Sequence, residues 1–354
     1  MAGPLRVSYF LGTNTARGFY SLYEDFAKEE ADMVWYIKGG PGNGKSTFMR
    51  TVAEAAEQAG HTVEYSLCSG DPQSLDGIYI KELRTAYVDA TAPHVQEPPL
   101  PGADGKYLDL SAFYKAGKRP DRSAVSRFFQ AYRQEYVRAY DLLRAAELTD
   151  PRGIPGLITE EDARKAAEKG KAMGSELLPD GNGYETKKRF CSAYTCLGYW
   201  VNASFLQSFD RVFLIEDAFG LADPWLRGLA QAAREKELKT ILCPDSLDPH
   251  RLEGVFIPQA DVSFFKAGRG RKLLGEKTAR IRLDELLVRQ RALDMNDEIK
   301  KARSLRDALI RNSIARLKKA KQIHDELELY YHPFVDFKAL DRFTQKHIRE
   351  NIRT

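Results

Sequence analysis

Short apolar runs alternate with glycine- and proline-rich breaks along the first third of the chain, and the pattern predicts an α/β order. Val34 to Ile37 is a run of β-formers with the length of a buried strand. The glycines from Gly39 to Gly44 cannot extend it. Phe48, Val52, Ala55, Ala56 and Ala59 then recur at helical spacing until Gly60 stops the helix. "HTVEYSLC" predicts a second strand, "SGDPQSLDGIYI" a turn-rich segment, and "LRTAYVDATAPH" a third strand running into Asp89. Asp121 to Glu147 predicts a long helix with Phe128, Phe129, Tyr132, Tyr136 and Tyr140 along one face and Arg127, Arg133 and Arg138 between them. An aromatic face of this kind is expected to pack into a core, with base stacking as the rarer use. "DPRGIPG" breaks the helix, and Thr159 with Asp162 has capping-box spacing at the start of the next. "LPDGNGYETKK" (178–188) reads as the domain linker. The late run through "AKQIHDELELYY" predicts a helix to Tyr331.

The pattern then repeats. At an offset of about 180 residues "TNTARGFY" lies over "AYTCLGYW", "DMVWYI" over "DRVFLI", Cys68 over Cys243, and "DPQSLDGIYI" over "DPHRLEGVFI". The matches keep one order along some 80 residues, so two related α/β halves are expected. Thr15, Gly18, Cys68, Asp71, Pro72 and Gly77 have counterparts in both halves, which suits turns, caps and a small buried thiol. The same persistence argues against Asp71 or Asp76 as a catalytic base.

Composition narrows the class. The chain has 354 residues, 43% hydrophobic and 29% charged, enough for two globular cores. No window approaches the roughly 18 apolar residues of a membrane span, and the opening "MAGPLRVSYFLGTNT" lacks an apolar leader core. Cys68, Cys191, Cys196 and Cys243 are too sparse for a disulfide framework and lack the companions of a zinc site. A soluble cytoplasmic protein is the expectation. The net charge of +4 does not decide for nucleic acid, but Lys300, Lys301, Arg303, Arg306, Arg311, Arg316, Lys318, Lys319 and Lys321 meet only Asp307. This amphipathic basic helix, 300–321, is a candidate surface for nucleic acid or an acidic protein.

The strand, glycine loop and helix around Gly39-Gly40-Pro41-Gly42-Asn43-Gly44-Lys45-Ser46-Thr47 fit GxxxxGK[ST] in the context where it means a phosphate loop. Glycines let backbone N–H groups converge on phosphate oxygens, and the helix start adds a positive dipole end. Lys45 would reach the terminal phosphates, Ser46 would offer its hydroxyl to Mg²⁺, and Asp89 would be the acid on the metal side. In the second half Lys45 aligns with Asp223, Ser46 with Pro224, Gly44 with Ala222 and Asp89 with Lys266, so that loop is expected to bind no phosphate. His324-Asp325 has no companion Ser or Cys, and His61, His94, His250, His332 and His347 show no ligand spacing.

"FLGTNTARGFYSLYEDF", the glycine loop, "CSGDPQSLDGIYI", "YVDATAPH" and "AKQIHDELELYYHPFVDF" together resemble a family of uncharacterised bacterial P-loop ATPases built as two tandem halves with helical tails. More distantly the layout resembles RecA-like and KaiC-like ATPases. The resemblance implies ATP binding, although only the Lys45 loop is complete here. The expectation is therefore two tandem doubly wound parallel sheets, each followed by helices. Residues 1–118 would form the intact domain, 119–185 a helical segment and linker, 186–275 the degenerate domain and 276–354 a basic helical region. The two halves would pair within the chain. The first would bind ATP with Mg²⁺ and hydrolyse it, with Lys45 and Asp89 as the catalytic pair and the second half as structural or regulatory partner. A kinase for a small molecule or nucleotide, a nucleic-acid-stimulated ATPase and an ATP-gated switch without turnover are the alternatives.

Overall fold

In the computed structural model, residues 7–29, 31–92, 95–266, 278–286 and 289–352 are described; the first six residues of the opening segment and His94 lie outside them. The first half runs β1 (Ser8–Tyr9), β2 (Gly12–Thr15), β3 (Gly18–Ser21), α1 (Tyr23–Glu29), β4 (Met33–Lys38), α2 (Lys45–Gln58), β5 (Val63–Leu67), β6 (Leu75–Ile80), β7 (Thr85–Asp89) and β8 (Gly105–Asp109). Its tail is α3 (Arg122–Leu148) and α4 (Glu160–Leu177). The second half repeats the order as β9 (Glu185–Lys188), β10 (Ser192–Thr195), β11 (Gly198–Val201), α5 (Ala203–Gln207), β12 (Arg211–Glu216), α6 (Ala222–Glu235), β13 (Lys239–Pro244), β14 (Leu252–Ile257), β15 (Val262–Lys266) and β16 (Thr278–Arg282). Its tail is α7 (Arg289–Asp294), α8 (Asn296–Tyr331) and α9 (Phe337–Asn351).

The sheets have the orders β1-β5-β6-β7-β4-β8 and β9-β13-β14-β15-β12-β16, strand for strand the same. The two-repeat arrangement of α/β halves therefore holds in topology as well as in sequence. The expectation of purely parallel sheets does not hold. β6 is antiparallel to both β5 and β7, and β14 to both β13 and β15. The reason is connection length. Only Cys68–Ser74 and Lys81–Arg84 separate these strands, which suffices for hairpins but not for a parallel crossover. β6 also corrects the turn-rich reading of 69–80: its six residues are all buried, because both sheet faces there are covered. The second sheet runs from Glu185 to Arg282, past the expected 186–275 bounds at both ends.

The halves meet on a shared core. Phe10 and Phe190 exchange reciprocal backbone hydrogen bonds of 2.9 and 3.0 Å, which places the pair at the centre of the pseudo-symmetric arrangement. Tyr9, Tyr23, Phe26, Phe205, Phe209 and Phe256 from both halves fill one apolar cluster around them. The hairpins β2–β3 and β10–β11 are built alike. The Thr15 hydroxyl donates to Gly18 O at 2.8 Å and Thr195 to Gly198 O at 2.9 Å, which gives the paired threonines and glycines the structural role expected of them.

The tails are exchanged. α4 follows the first half but packs on α6 of the second, and α9 follows the second half but packs on α2 of the first. Leu340 of α9 and Ile352 just after it sit in the core with Ile37, Phe48 and Val52, while Ala166 of α4 sits with Ile215, Trp225 and Leu226. The α4–α6 crossing is close because glycines meet backbone on both sides. A methyl on Gly170 would collide with the Trp225 carbonyl, and one on Gly228 with the Ala167 carbonyl. α3 and α8 lie antiparallel between these docking points: Asp121 N bonds the Tyr330 hydroxyl, Ser313 the Ala139 carbonyl, and Arg306 the Asp150 carboxylate. The Thr159–Asp162 capping box forms at the start of α4, and α8 ends at Tyr331.

Candidate functional site

The Gly39–Ser46 loop leaves the end of β4 and enters α2. Lys45, the first residue of α2, donates to the carbonyls of Gly39 and Gly40 at 3.0 and 3.1 Å and stands 3.6 Å from Asp89 Oδ2. Asp89 ends β7, the neighbour of β4 in the sheet, so parallel pairing of Ile37 with Asp89 brings the two together. Its other oxygen accepts from Thr91 N and Oγ1 at 2.9 and 2.5 Å, which fixes the carboxylate. The Ser46 hydroxyl accepts from Leu75 N at 2.9 Å, tying the loop to β6. Asn43 is buried and donates to Leu110 O at 3.2 Å, Pro41 and Gly44 are half-buried, and Thr47 is exposed on the first turn of α2. Lys45, Ser46 and Asp89 thus share one end of the sheet. The hydroxyl and the carboxylate are oxygen donors of the type a hard divalent cation takes.

The exchanged tail covers this loop. A side chain on Gly42 would run into the backbone oxygen of Glu328 at 2.8 Å, so the end of α8 rests on the loop itself. Gly42 and Gly44 both hold positive φ, 68° and 78°, a conformation that costs other residues energy. Lys321 of α8 pairs with Asp71 at 3.3 Å and with Asp325. Burial pulls the His324 imidazole below its ordinary value; Glu328 opposes this, and the Lys45 ammonium adds to it. His324, Asp325 and Glu328 offer ligand atoms all within 4.8 Å of one another, a grouping that sequence spacing gave no reason to pair with the loop. Phe128, Tyr132 and Tyr136 of α3 pack on Tyr330, His324 and one another, so the aromatic stripe faces inward. Beside the loop a cleft of about 390 Å³ opens between Tyr114, Pro120, Arg122, Val125, Ser126 and Tyr331.

The equivalent place in the second half is a cavity of about 270 Å³, and its chemistry differs. The loop there is Asp217–Ala222. Asp217, at the position of Gly39, turns its carboxylate into its own loop. Oδ1 accepts from the backbone N–H groups of Phe219, Gly220 and Leu221 at 3.1, 2.7 and 3.0 Å, and Oδ2 from Ala222 N at 2.9 Å. An anion therefore sits where four amides at a helix start converge. Asp223, aligned with Lys45, accepts from Leu252 N at 2.8 Å, the bond that Ser46 makes with Leu75 in the first half. Lys266, at the Asp89 position, pairs with Asp245 at 2.7 Å. Arg152 from the exchanged tail lies against Gly220, the counterpart of Gly42, bonds Asp150 and stands 3.8 Å from Asp245. Burial alone would push the Asp245 carboxyl up, but Lys266 and Arg152 hold it well below the carboxylate range. Glu253 beneath it is pushed up to about 8, first by burial and then by Asp245.

The sequence located the Lys45 loop and Asp89 but missed Asp217, Arg152 and the α8 cover. Asp217 was visible as a carboxylate at the first loop position, where the intact loop has glycine. Nothing local marks α8 as the cover of a loop about 280 residues earlier. Among the described residues no helix is long and apolar enough to cross a membrane. Comparison with protein-family models, with curated proteins and with solved structures gives no match.

Proposed function

We propose that the first half binds ATP with Mg²⁺ through Gly39–Thr47 and hydrolyses it. The observation that carries this reading is the second loop. A loop of the same lineage, at the same sheet end, gathers four backbone N–H groups around a carboxylate. Gly39 removes that carboxylate from the first loop, and Lys45 adds a cation that the second lacks. Gly42, Asn43 and Gly44 keep an N–H at the positions of Gly220, Leu221 and Ala222, that of Asn43 bonding Gly40 O at 3.3 Å, while Pro41 at the position of Phe219 has none. The first loop then offers its remaining amides and Lys45 to an anion from solution, and the lysine suits a polyphosphate. Ser46 and Asp89 would hold the magnesium, which neutralises charge developing on the phosphates.

In the hydrolysis, a water oxygen forms a bond to the γ-phosphorus as the bond to the β–γ bridging oxygen breaks. ADP leaves with that electron pair, and the water proton passes to solvent. Lys45 stabilises the charge on the transferred group. The backbone of Glu328 passes directly over Gly42 and narrows the approach to the loop. The cleft beside Gly40 favours one second reading, transfer to an acceptor bound between Tyr114 and Tyr331. Phosphate released one-for-one with ADP supports hydrolysis, and ADP formed without free phosphate supports transfer.

The test is calorimetric titration with Mg-ATP and with inorganic pyrophosphate. The natural protein is expected to bind both and Lys45→Ala neither. Gly39→Asp, which imports the self-binding carboxylate, is expected to bind neither, while Gly39→Asn, with the same backbone strain, retains measurable affinity. No binding by the natural protein, or equal losses in the Asp and Asn variants, refutes the reading.

A further inference from the structure

We propose that the outer face of the α3–α8 pair binds the phosphodiester backbone of a nucleic acid. The surface spans two helices from different halves; the sequence offers 300–321 for phosphates and 121–147 only for base stacking, and does not join the two into one face. On α3, Arg122, Arg127, Arg133, Arg138 and Arg144 are exposed, and helical spacing puts them on the side away from buried Ala139, Leu143 and Ala146. On α8, Lys300, Lys301, Arg311, Arg316, Lys318 and Lys319 are exposed opposite buried Ile310, Ser313, Leu317 and Ala320. The two rows meet at Glu135, which bonds Arg138 at 3.0 Å and Arg316 at 3.3 Å across the seam.

Charge is segregated onto this face. Residues 122–147 and 300–321 hold 14 basic and 4 acidic side chains, net +10, in a chain of net charge +4; the remainder is therefore net −6. Among the described residues of those stretches, Asp141 is the exposed acid; Glu135 is buried, and Glu147 and Asp307 are half-buried. A solvated helix face ordinarily mixes signs in comparable numbers; here eleven exposed cations face one exposed acid, Asp141, which pairs with Arg144 at 3.3 Å. The cationic rows extend over roughly 30 Å at the α-helical rise. That is the span over which one nucleic-acid strand presents a phosphate about every 3.4 Å. Exposed apolar residues on the face are scattered, Val137 and Leu305 among them, and form no stripe that would enter a lipid surface. The predominance of arginine suits phosphate oxygens, which a planar guanidinium meets with two donors.

The experiment measures binding of fluorescent 30-nucleotide single strands and 30-base-pair duplexes by anisotropy across a salt series, using the full chain. If about six phosphates are engaged, duplex affinity falls roughly a thousandfold between 50 and 200 mM salt. The reversal Arg311→Glu/Lys318→Glu/Lys319→Glu is expected to weaken binding at least tenfold and to flatten that slope. The control Lys169→Glu/Lys188→Glu/Lys338→Glu makes the same change in net charge at exposed positions elsewhere, and is expected to bind like the natural protein. Thermal unfolding of both variants shows that they fold. Lys45→Ala is expected to bind oligonucleotide normally, so this result stands apart from the nucleotide reading. The strand and duplex arms identify which form is preferred. Equal losses in both triple variants, no binding to either oligonucleotide, or binding only to vesicles containing anionic lipid would overturn the proposal.

Discussion

Replacing Asp217 by alanine removes an anion from four backbone donors at once, and its cost can be worked from the geometry. The bonds span 2.7–3.1 Å, and all end on one carboxylate. A hydrogen bond to a charged group is worth about 1.5–3 kcal/mol, but the loop is half-buried and water replaces part of the loss. Asp217 also does the work of a cap for α6, since Leu221 at the N-cap position has no side-chain bond of its own; lost caps cost about 0.5–2 kcal/mol. The expected loss is about 2–4 kcal/mol, read from urea unfolding by tryptophan emission, with Trp225 buried in that helix. The informative arm is rescue. If the amides form an anion cradle, sulfate or pyrophosphate at ten times its dissociation constant restores about 1.4 kcal/mol to Asp217→Ala. The same salt leaves the second loop of the natural protein unaffected. A loss under about 1 kcal/mol with no difference between sulfate and chloride would refute the cradle and remove the main support for phosphate binding by the first loop.

Three further outcomes follow from the packing and the buried titrating groups. Gly170→Ala forces α4 away from the Trp225 carbonyl and is expected to cost about 1–3 kcal/mol, seen as a lower Tm and faster proteolysis within 149–159. His347 of α9 is buried against Trp35, Phe48 and Tyr87, and burial lowers it to about 4. The unfolded chain takes up this proton near pH 6.5 and the folded one only near 4, so stability is complete above 6.5 and lost as pH falls through 4; His347→Phe should shrink that acid limb in Tm against pH. Glu253 has the opposite sign. Its folded value of about 8 lies above the unfolded carboxyl range, so its contribution is full below about 4.5 and lost as pH rises through 8. Glu253→Gln is expected to flatten the alkaline limb; an unchanged limb would show that the carboxyl is already ionised at neutral pH.

Much of the local order was legible because it depends on local rules. Val34–Ile37, the glycines and the spacing of Phe48 and Val52 fix strand, loop and helix without reference to the rest of the chain. The repeat was legible because turns need particular residues, and Thr15 and Thr195 make the same turn. β6 was misread because Asp71-Pro72 and Asp76-Gly77 carry turn chemistry, while its burial comes from sheet neighbours that a linear pattern does not display. β8 was missed for a related reason. Lys106 and Asp109 interrupt the apolar pattern on an edge strand, where exposed positions need no apolar side chain. The exchange of α4 and α9 was not legible at all. An amphipathic helix states that one face is buried, not against which half, and Leu340 meets Phe48 across almost three hundred residues.

The exchanged tails give the two loops a common logic with one asymmetry. Gly42 and Gly220 are equivalent positions, and each lacks a side chain where the other half's tail passes closest. At Gly220 the passing group is Arg152, tied to Asp150 and facing Asp245, over a cradle already filled by Asp217. That half carries its anion within the chain, so its cover is closed by fixed charges. At Gly42 the passing group is the backbone of Glu328, and the neighbouring cations, Lys45 and Lys321, pair with Asp89 and Asp71. A polyphosphate entering this cradle would compete with Asp89 for Lys45 and add negative charge beneath Glu328 and Asp325. Those acids lie on the same helix as the basic row from Lys300 to Lys319. Pressure on one end of a continuous helix is transmitted to the other more directly than through a loop. On the proposed reading the second half is a rigid reference against which α8 is held, and the first is where a change in bound charge can move it.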